Sequence, residues 1–221
     1  MKLKDAGRSE PRPPGGGLSG LEGVPLGFNR ERFLEAAVTG SGGSPAWRNR
    51  KCAEARELLA LSRLAPKRMN VEQLDLSESL RAVIHLRAPV PTRRPGRDEL
   101  VILPDVLLGL QYRQQALLTP QAGASFIQIL EPEGVFLAQV PAGPPFCLCL
   151  APTLPPGIPC KELILLSYAA LTLQTFQIDI AHPAGVFNPA AALFWQKNSG
   201  RIPLTHEAFL DSRPLAKEAR P

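Results

Sequence analysis

The chain has 221 residues, 44% of them hydrophobic, which is enough to bury one sizeable core and leave flanking tails. No apolar run approaches the roughly 20 residues of a membrane-spanning helix, so we expect no membrane partner. The formal charge of +5 is spread along the chain with few aromatic residues nearby, which predicts neither a phosphate-binding stripe nor a base-stacking platform. We therefore expect no nucleic-acid partner, and an acidic protein is the alternative partner for the basic charge.

Residues 1–44 are rich in Gly, Pro and Ser and bury too little apolar surface to offset the entropy of ordering. They predict a disordered lead with one candidate docking helix over 29–37, and residues 213–221 predict a disordered tail. The first residues are charged and lack the apolar stretch of a secretory signal, so we expect a cytoplasmic protein. Its four cysteines are then expected to be reduced and to form no disulfide framework.

A single α+β domain is predicted over 45–212. Apolar residues at helical spacing predict an amphipathic helix over 46–64. Alternating and apolar runs then predict a four- to five-stranded antiparallel meander, with strands at 80–86, 99–103, 106–118, 125–130 and 135–140. Turns that contain proline are predicted to separate these strands, at 89–91, 104–105, 119–120 and 132–134.

The second half of the domain begins with an apolar segment over 146–150, followed by a proline-rich turn. A strongly apolar core helix is predicted over 159–174, with Pro159 in its first turn. Asn188 followed by Pro189 predicts the start of another helix, because Asn caps helices and Pro suits the first helical position. A last segment over 204–210 is predicted to dock as a turn of helix.

The candidate for chemistry is the pair Cys147 and Cys149, where the apolar segment runs into the proline-rich turn. If the segment is extended, alternation puts both thiols on one face, where a nucleophile is held by the scaffold and still reachable. The alternative is that both thiols are small apolar core residues. Sequence motifs for nucleotide cradling, dinucleotide binding, serine-hydrolase elbows and zincin chemistry are absent, which excludes most familiar enzyme classes.

A metal site is an alternative role for the cysteines. Its ligands would be Cys147, Cys149, Cys160 and His182. The single CxC has no second paired motif at zinc-ligand spacing, so we predict no metal. The histidines are scattered, and none has the spacing of a general base. Cys160, at the start of the buried helix, and Cys52, on the first helix, are assigned to packing.

The order of features from Gly143 to Trp195 resembles the C-terminal half of the ubiquitin-conjugating enzyme fold, in particular its divergent prokaryotic members that work with bacterial ubiquitin-like proteins. The shared features are a Cys-Leu pair after the meander, a proline-rich turn, a long apolar helix and an Asn-Pro-Ala-Ala helix start. In this chain they are Cys149-Leu150, with Cys147-Leu148 as an overlapping second pair, the turn over 154–159, the helix after it, and Asn188-Pro189-Ala190-Ala191. The preceding helix and strands fit the family's order over 46–212.

The resemblance implies a thioester carrier in a bacterial ubiquitin-like conjugation pathway, with a role in antiviral defence. Its partners are then an activating enzyme, a ubiquitin-like protein and a target protein, and no bound cofactor is needed because the activating enzyme consumes the ATP. Cys149 is the implied nucleophile and Cys147 the alternative. The family's His-Pro-Asn segment, whose Asn supports the oxyanion, has no counterpart in 135–143, where Gln139 is the nearby carboxamide.

Two other functions fit the same sequence. The missing His-Pro-Asn favours a catalytically silent member of the fold, which serves as a binding module or scaffold for a ubiquitin-like protein or a partner enzyme. The proline-rich lead suits a structural protein of a mobile element, in which it would act as an assembly arm. Thiol reactivity separates the carrier from both, because a scaffold has no reason to keep a reachable thiolate.

Overall fold

The structure is a computed structural model that describes residues 42–93, 99–175 and 186–210. The described part is α+β, with an N-terminal helix, four antiparallel strands and then C-terminal helices, which confirms the predicted class and order. Within these residues, no helix is both long and apolar enough to cross a lipid bilayer. The candidate docking helix over 29–37, His182 and the tail over 213–221 lie outside the described residues.

Helix α1 comprises Pro45–Leu64, where apolar spacing predicted a helix. It begins at Ser44, whose hydroxyl accepts a hydrogen bond of 3.3 Å from the backbone N–H of Trp47. The inward face of α1 packs on the sheet, and Ala55 and Leu58 have no exposed surface there. The helix thus covers one face of the sheet and forms part of the single core.

The sheet consists of β1 (Met69–Asp75), β2 (Leu80–Arg93), β3 (Leu100–Tyr112) and β4 (Ile127–Glu131). These strands are neighbours in chain order and every pair is antiparallel, so the predicted meander is confirmed. The predicted strand 80–86 lies within β2 and the predicted strand 125–130 overlaps β4, but the other strands differ from those predicted. Strand β1 was not predicted, because a register shift within it breaks the alternation of apolar and polar residues.

Strands β2 and β3 run through two of the predicted turns. Their register shifts where residues 88–89 face residue 104, so Pro89 and Pro104 both lie in the irregularity. Proline is tolerated there because no ladder hydrogen bond needs its missing N–H. The predicted turns at these prolines are therefore wrong. The predicted strand 99–103 and the first part of the predicted strand 106–118 belong to the one strand β3, which ends at Tyr112; the end of the latter prediction is wrong, because Gln114–Leu117 form a 3₁₀ turn.

The predicted strand over 135–140 is also wrong. The segment forms turns, and Val135 makes an isolated bridge with Thr92. Leu137 and Val140 are fully buried, so the run is apolar because it crosses the core. In an apolar run that is buried on most sides, apolar and polar residues do not alternate with any period. The sequence therefore cannot distinguish such a run from a buried strand.

Helix α2 comprises Cys160–Leu171 and is the predicted core helix, with Leu163 and Ile164 fully buried. It ends before the predicted residue 174. Leu173 has a φ of 57°, in the left-handed region, and a residue in this conformation cannot continue a right-handed helix. The chain after α2 therefore turns away toward Thr175.

Helix α3 comprises Pro189–Lys197 and begins as predicted. The side chain of Asn188 accepts a hydrogen bond of 3.1 Å from the N–H of Ala191. The segment over 204–210 docks on the domain without forming a helix, so the predicted helical turn is wrong. Phe209 makes one of its contacts, with its ring edge-on to Tyr168 and the centroids 5.3 Å apart, and the N–H of Leu204 makes another by donating to the Thr172 carbonyl at 2.9 Å.

Substitution of Asn188 tests whether its side chain caps α3. We expect Asn188→Ala to lower the free energy of unfolding by about 1 kcal/mol, because one N–H at the start of α3 loses its acceptor. Asn188→Ser is the matched control and should retain most of the stability, since Ser is also a good cap. Urea denaturation of both variants measures the difference, and equal losses would contradict the capping role.

Candidate functional site

The segment that carries Cys147 lies along the free edge of β4. Phe146 and Leu148 bond to β4 through two backbone hydrogen bonds of 2.7 and 2.9 Å, and an isolated antiparallel bridge joins Cys147 to Gln128 between them. This is the pattern of an antiparallel pair, so the backbone is extended at this point. Cys147 is therefore attached to the sheet itself, and Cys149 follows directly after the paired segment.

Within 146–150 only Leu148 is buried, and Phe146 and Leu150 are half-buried like the two cysteines. Leu148 has 0% exposed surface, whereas Cys147 and Cys149 on either side of it are half-buried. Residues directly opposite in an antiparallel pair point to the same face, so Cys147 shares the face of the exposed Gln128. Leu148 anchors the segment in the core while the two thiols reach the surface.

Cys149 is fixed by its own backbone and by the turn that follows. Its N–H donates a hydrogen bond of 3.0 Å to the carbonyl of Gln139, and its thiol donates to the carbonyl of Ala151 at 3.4 Å. The 3₁₀ turn Gly123–Ser125 passes directly against Ala151. A Cβ on Gly123 would lie 2.1 Å from the Ala151 carbonyl oxygen, so this approach requires glycine.

Gln139 contacts Cys149 through the backbone, because its carbonyl accepts the hydrogen bond from the Cys149 N–H. Its Nε2 donates to the carbonyl of Thr175 at 3.5 Å, and its Oε1 is buried without a hydrogen-bond partner among the residues that the structure describes. The neighbouring carbonyl of Ala138 accepts hydrogen bonds from the N–H groups of Phe187 and Asn188 at 2.9 and 3.1 Å. The backbone over 138–139 is thus flanked by Cys149 and by the start of α3.

The surroundings of Cys149 keep its thiol protonated in the resting protein. Burial is the largest effect and raises the pKa of Cys149, and the negative charge of an ionised Cys147 raises it further. A backbone hydrogen bond from Ala151 acts in the opposite direction and lowers the pKa. The net direction is upward, so Cys149 is not activated by its described neighbours.

Of the other two candidate metal ligands, Cys160 is buried at the start of α2 and His182 lies outside the described residues. Cys52 and Cys160 are buried at 6% and 0% exposure, in line with their assignment to packing. His85 on β2 faces Asp105 on β3 at 3.8 Å, on the sheet. Within the described ranges no group of three or more His, Cys, Asp and Glu side chains could hold a metal ion.

Sequence reasoning missed the charged residues that position the site. Glu54 and Lys51 lie on the buried face of α1 at 3% and 0% exposure. The Lys51 ammonium donates to the carbonyls of Leu76 and Ser77 at 2.6 and 2.9 Å, which ties α1 to the turn between β1 and β2. The sequence contained one signal for the role of Glu54. Arg50 and Glu54 are four residues apart, so they lie on the same side of a helix, among apolar residues.

Comparisons with protein-family models, with curated proteins and with solved structures find no match to this chain. The chemistry of the site is therefore argued from its geometry. A half-buried thiol on a fixed backbone, with a second thiol two residues away and a carboxamide on the adjoining segment, can attack a carbonyl carbon or a sulfur atom.

The close approach of Gly123 to Ala151 predicts a specific loss of stability. We expect Gly123→Ala to lower the free energy of unfolding by about 1–3 kcal/mol, because the new Cβ overlaps backbone atoms that cannot move independently. Gly143→Ala is the matched control, since a Cβ there meets nothing within 4 Å. Thermal unfolding of both variants tests this contact, and an unchanged Gly123→Ala protein would show that the turn does not press on Ala151.

The raised pKa of Cys149 predicts the pH dependence of its alkylation. Because only the thiolate reacts, the rate should rise about tenfold for each pH unit below the pKa. It should still be rising above pH of about 8.5, where an unperturbed cysteine levels off. Iodoacetamide labelling read by mass spectrometry measures the profile, with the urea-unfolded protein as the control. A folded-state profile that levels off at lower pH than the unfolded one would contradict the desolvated thiol.

Proposed function

We propose that this chain carries a ubiquitin-like protein as a thioester on Cys149, in a domain of the ubiquitin-conjugating enzyme fold. It accepts the acyl group from an activating enzyme and passes it to an amine on a target protein. The observation that carries this proposal is the position of Cys149, half-buried directly after a segment paired to the sheet, with Gln139 on the adjoining backbone. The order of helix, antiparallel meander and C-terminal helices supports the fold.

The proposed reaction consists of two acyl transfers. In the first, the Cys149 thiolate attacks the thioester carbonyl on the activating enzyme, and the cysteine of that enzyme leaves as a thiolate. In the second, an amine of the target attacks the new thioester, Cys149 leaves as a thiolate, and an amide bond is formed. Each transfer makes one bond to the carbonyl carbon and breaks one C–S bond, so no redox partner is needed.

Gln139 is the candidate donor for the oxyanion that forms in both transfers. In the resting structure its Nε2 donates to the Thr175 carbonyl over 3.5 Å, a long and therefore weak hydrogen bond. Redirecting this N–H toward a reacting carbonyl costs little for that reason. Gln139 takes the role that the family gives to the Asn of His-Pro-Asn, on a backbone that bonds directly to Cys149.

A catalytically silent binding module is the second candidate. Two observations favour it: the chain lacks the His-Pro-Asn segment, and burial raises the pKa of Cys149. In this role the same domain binds a ubiquitin-like protein or a partner enzyme without forming a covalent bond. The two candidates make opposite predictions about a covalent adduct.

An adduct assay tests the carrier mechanism. The purified chain is mixed with an activating enzyme and a ubiquitin-like protein from the same organism, and with ATP. We expect an adduct that a reductant cleaves, because a thioester is sensitive to added thiol. The adduct should form with the wild-type chain and with Cys147→Ser, and Cys149→Ser should lose it.

Loss in Cys147→Ser with retention in Cys149→Ser would assign the nucleophile to the other cysteine. If the activating enzyme is charged with the ubiquitin-like protein and no adduct forms on this chain, the carrier mechanism is refuted. The silent binding module then takes its place, and it predicts a non-covalent complex of the same proteins by gel filtration.

A further inference from the structure

We infer that a groove at the C-terminal end of α1 binds an acidic peptide segment of a partner protein and holds one apolar side chain of that segment. The groove has a volume of about 720 Å³, and its walls are the end of α1 with the turn before β1, and the segment over 207–210. Cys149 bonds to Gln139 and Ala151, and neither of these residues lines the groove. This site therefore does not depend on the proposed carrier function.

Apolar side chains are exposed on both walls of the groove. Leu64, at the end of α1, has 71% of its surface exposed, and Leu210, on the other wall, has 41% exposed. Exposed apolar surface with a polar rim marks interaction sites on protein surfaces. The two leucines provide the contact for an apolar side chain of the partner.

The charged side chains of the groove are mostly basic. Arg63, Lys67 and Arg68 line it, against one carboxylate among its lining residues, that of Glu207. A partner that binds here needs an excess of negative charge, because complementary charges favour association and like charges oppose it. A peptide with carboxylates on either side of an apolar residue matches both the charge and the leucines.

The rest of the fold holds both walls in place. On the α1 side, the backbone N–H of Arg68 donates to the carbonyl of Ala65 at 2.9 Å. On the other side, the carbonyl of Glu207 accepts hydrogen bonds from the Tyr168 hydroxyl and from Nε2 of Gln174, both at 3.0 Å. Binding therefore orders little of this chain, which lowers the entropic cost of association.

The Glu207 carboxylate occupies a position that a partner carboxylate can take. It pairs with the guanidinium of Arg68, which also lies over the ring of Tyr168, 5.8 Å from the ring centroid. The Glu207 side chain is exposed, so the pair is open to solvent and weak. A carboxylate that enters the groove competes with Glu207 for this guanidinium, and Glu207 thus weakens the binding of acidic peptides.

Other occupants match the groove less well. Single-stranded nucleic acid stacks on exposed aromatic rings, but Phe209, the aromatic residue of the groove, is buried. A lipid surface contacts a helix face that projects from the protein, whereas Leu64 and Leu210 line a groove. The chain after Leu210 has more basic than acidic side chains and does not complement basic walls: Arg213, Lys217 and Arg220 against Asp211 and Glu218.

A display library of random peptides, selected on the immobilised full chain, tests this site. We expect the enriched peptides to carry Asp and Glu around a Leu, Ile or Phe. Fluorescence anisotropy then measures the affinity of a selected peptide, labelled with fluorescein, for the wild-type chain and its variants. The affinity should fall as the salt concentration rises, because salt screens exposed charges.

Reversal of one charge tests the basic side of the groove. Lys67→Glu should weaken binding about tenfold, because the peptide carboxylates then face another carboxylate. Lys197→Glu is the matched control, since it reverses an exposed lysine on α3, outside the groove, and should change the affinity less than about twofold. Glu207→Gln should strengthen binding about threefold, and it keeps the backbone bonds of its wall.

Truncation of one leucine tests the apolar side. Leu64→Ala should weaken binding about tenfold, because the peptide loses most of one apolar contact. Leu118→Ala is the matched control and should leave the affinity unchanged, since Leu118 is 73% exposed outside the groove. Both side chains are exposed in the free chain, so neither substitution should change its Tm.

Several outcomes would overturn the inference. One is a selection that enriches no acidic peptide, and another is a peptide whose affinity changes in neither Lys67→Glu nor Leu64→Ala. A Tm lowered by Leu64→Ala alone would show that this chain covers its own groove, or that a second copy does if sedimentation gives a dimer. Binding to phosphatidylserine vesicles that Lys67→Glu abolishes, with no peptide selected, would make the groove a membrane site. No activating enzyme is present, so failure of the carrier mechanism leaves these results unaffected.

Discussion

The buried carboxylate of Glu54 is the interaction on which the arrangement of the helices depends. It lies on α1, accepts a hydrogen bond of 2.6 Å from the N–H of Cys160 at the start of α2, and pairs with Arg50 at 2.6 Å. Arg50 also donates to the carbonyl of Gly157 at 2.9 Å. A helix N-terminus favours a carboxylate, and the ion pair with Arg50 adds to this, although solvent screens it because 34% of the Arg50 side chain is exposed. Helix α1 therefore holds both the start of α2 and the turn before it.

This clamp fixes one end of the chain that contains the candidate thiol. The other end is fixed by the bonds of the 146–148 segment to β4, and the middle by the contact between Gly123 and Ala151. Cys149 thus occupies a defined position because backbone groups hold it, with few polar side chains around it. A site of this kind leaves little trace in the local sequence, since the residues that position it are distant in the chain.

The features that the sequence predicted depend on local signals. The Asn188 cap requires only a few adjacent residues, and it is found. Of the alternation predicted around the cysteines, the structure shows the buried Leu148 between two half-buried thiols. Predictions failed where contacts with residues distant in the chain determine the local structure. Pro89 predicted a turn, but it lies in an irregularity of β2, where the register with β3 shifts. The hydrogen bond from the Cys149 N–H to the Gln139 carbonyl and the need for Gly123 also follow from tertiary packing, which no local pattern encodes.

The burial that positions Cys149 also raises its pKa. Placement favours attack by the thiol and the raised pKa disfavours it, so the sizes of the two effects determine the reaction rate. For each unit by which the pKa rises, the thiolate fraction at neutral pH falls about tenfold, while the intrinsic nucleophilicity of the thiolate rises about threefold. The net loss is therefore about threefold for each unit. Correct placement of a reacting group can contribute about 7–11 kcal/mol to lowering a barrier, which is far larger. Under the proposed carrier function, a docked partner would present the acyl group to this fixed thiol, and placement would outweigh the loss of thiolate. The same thiol should react slowly with small electrophiles that it meets by chance.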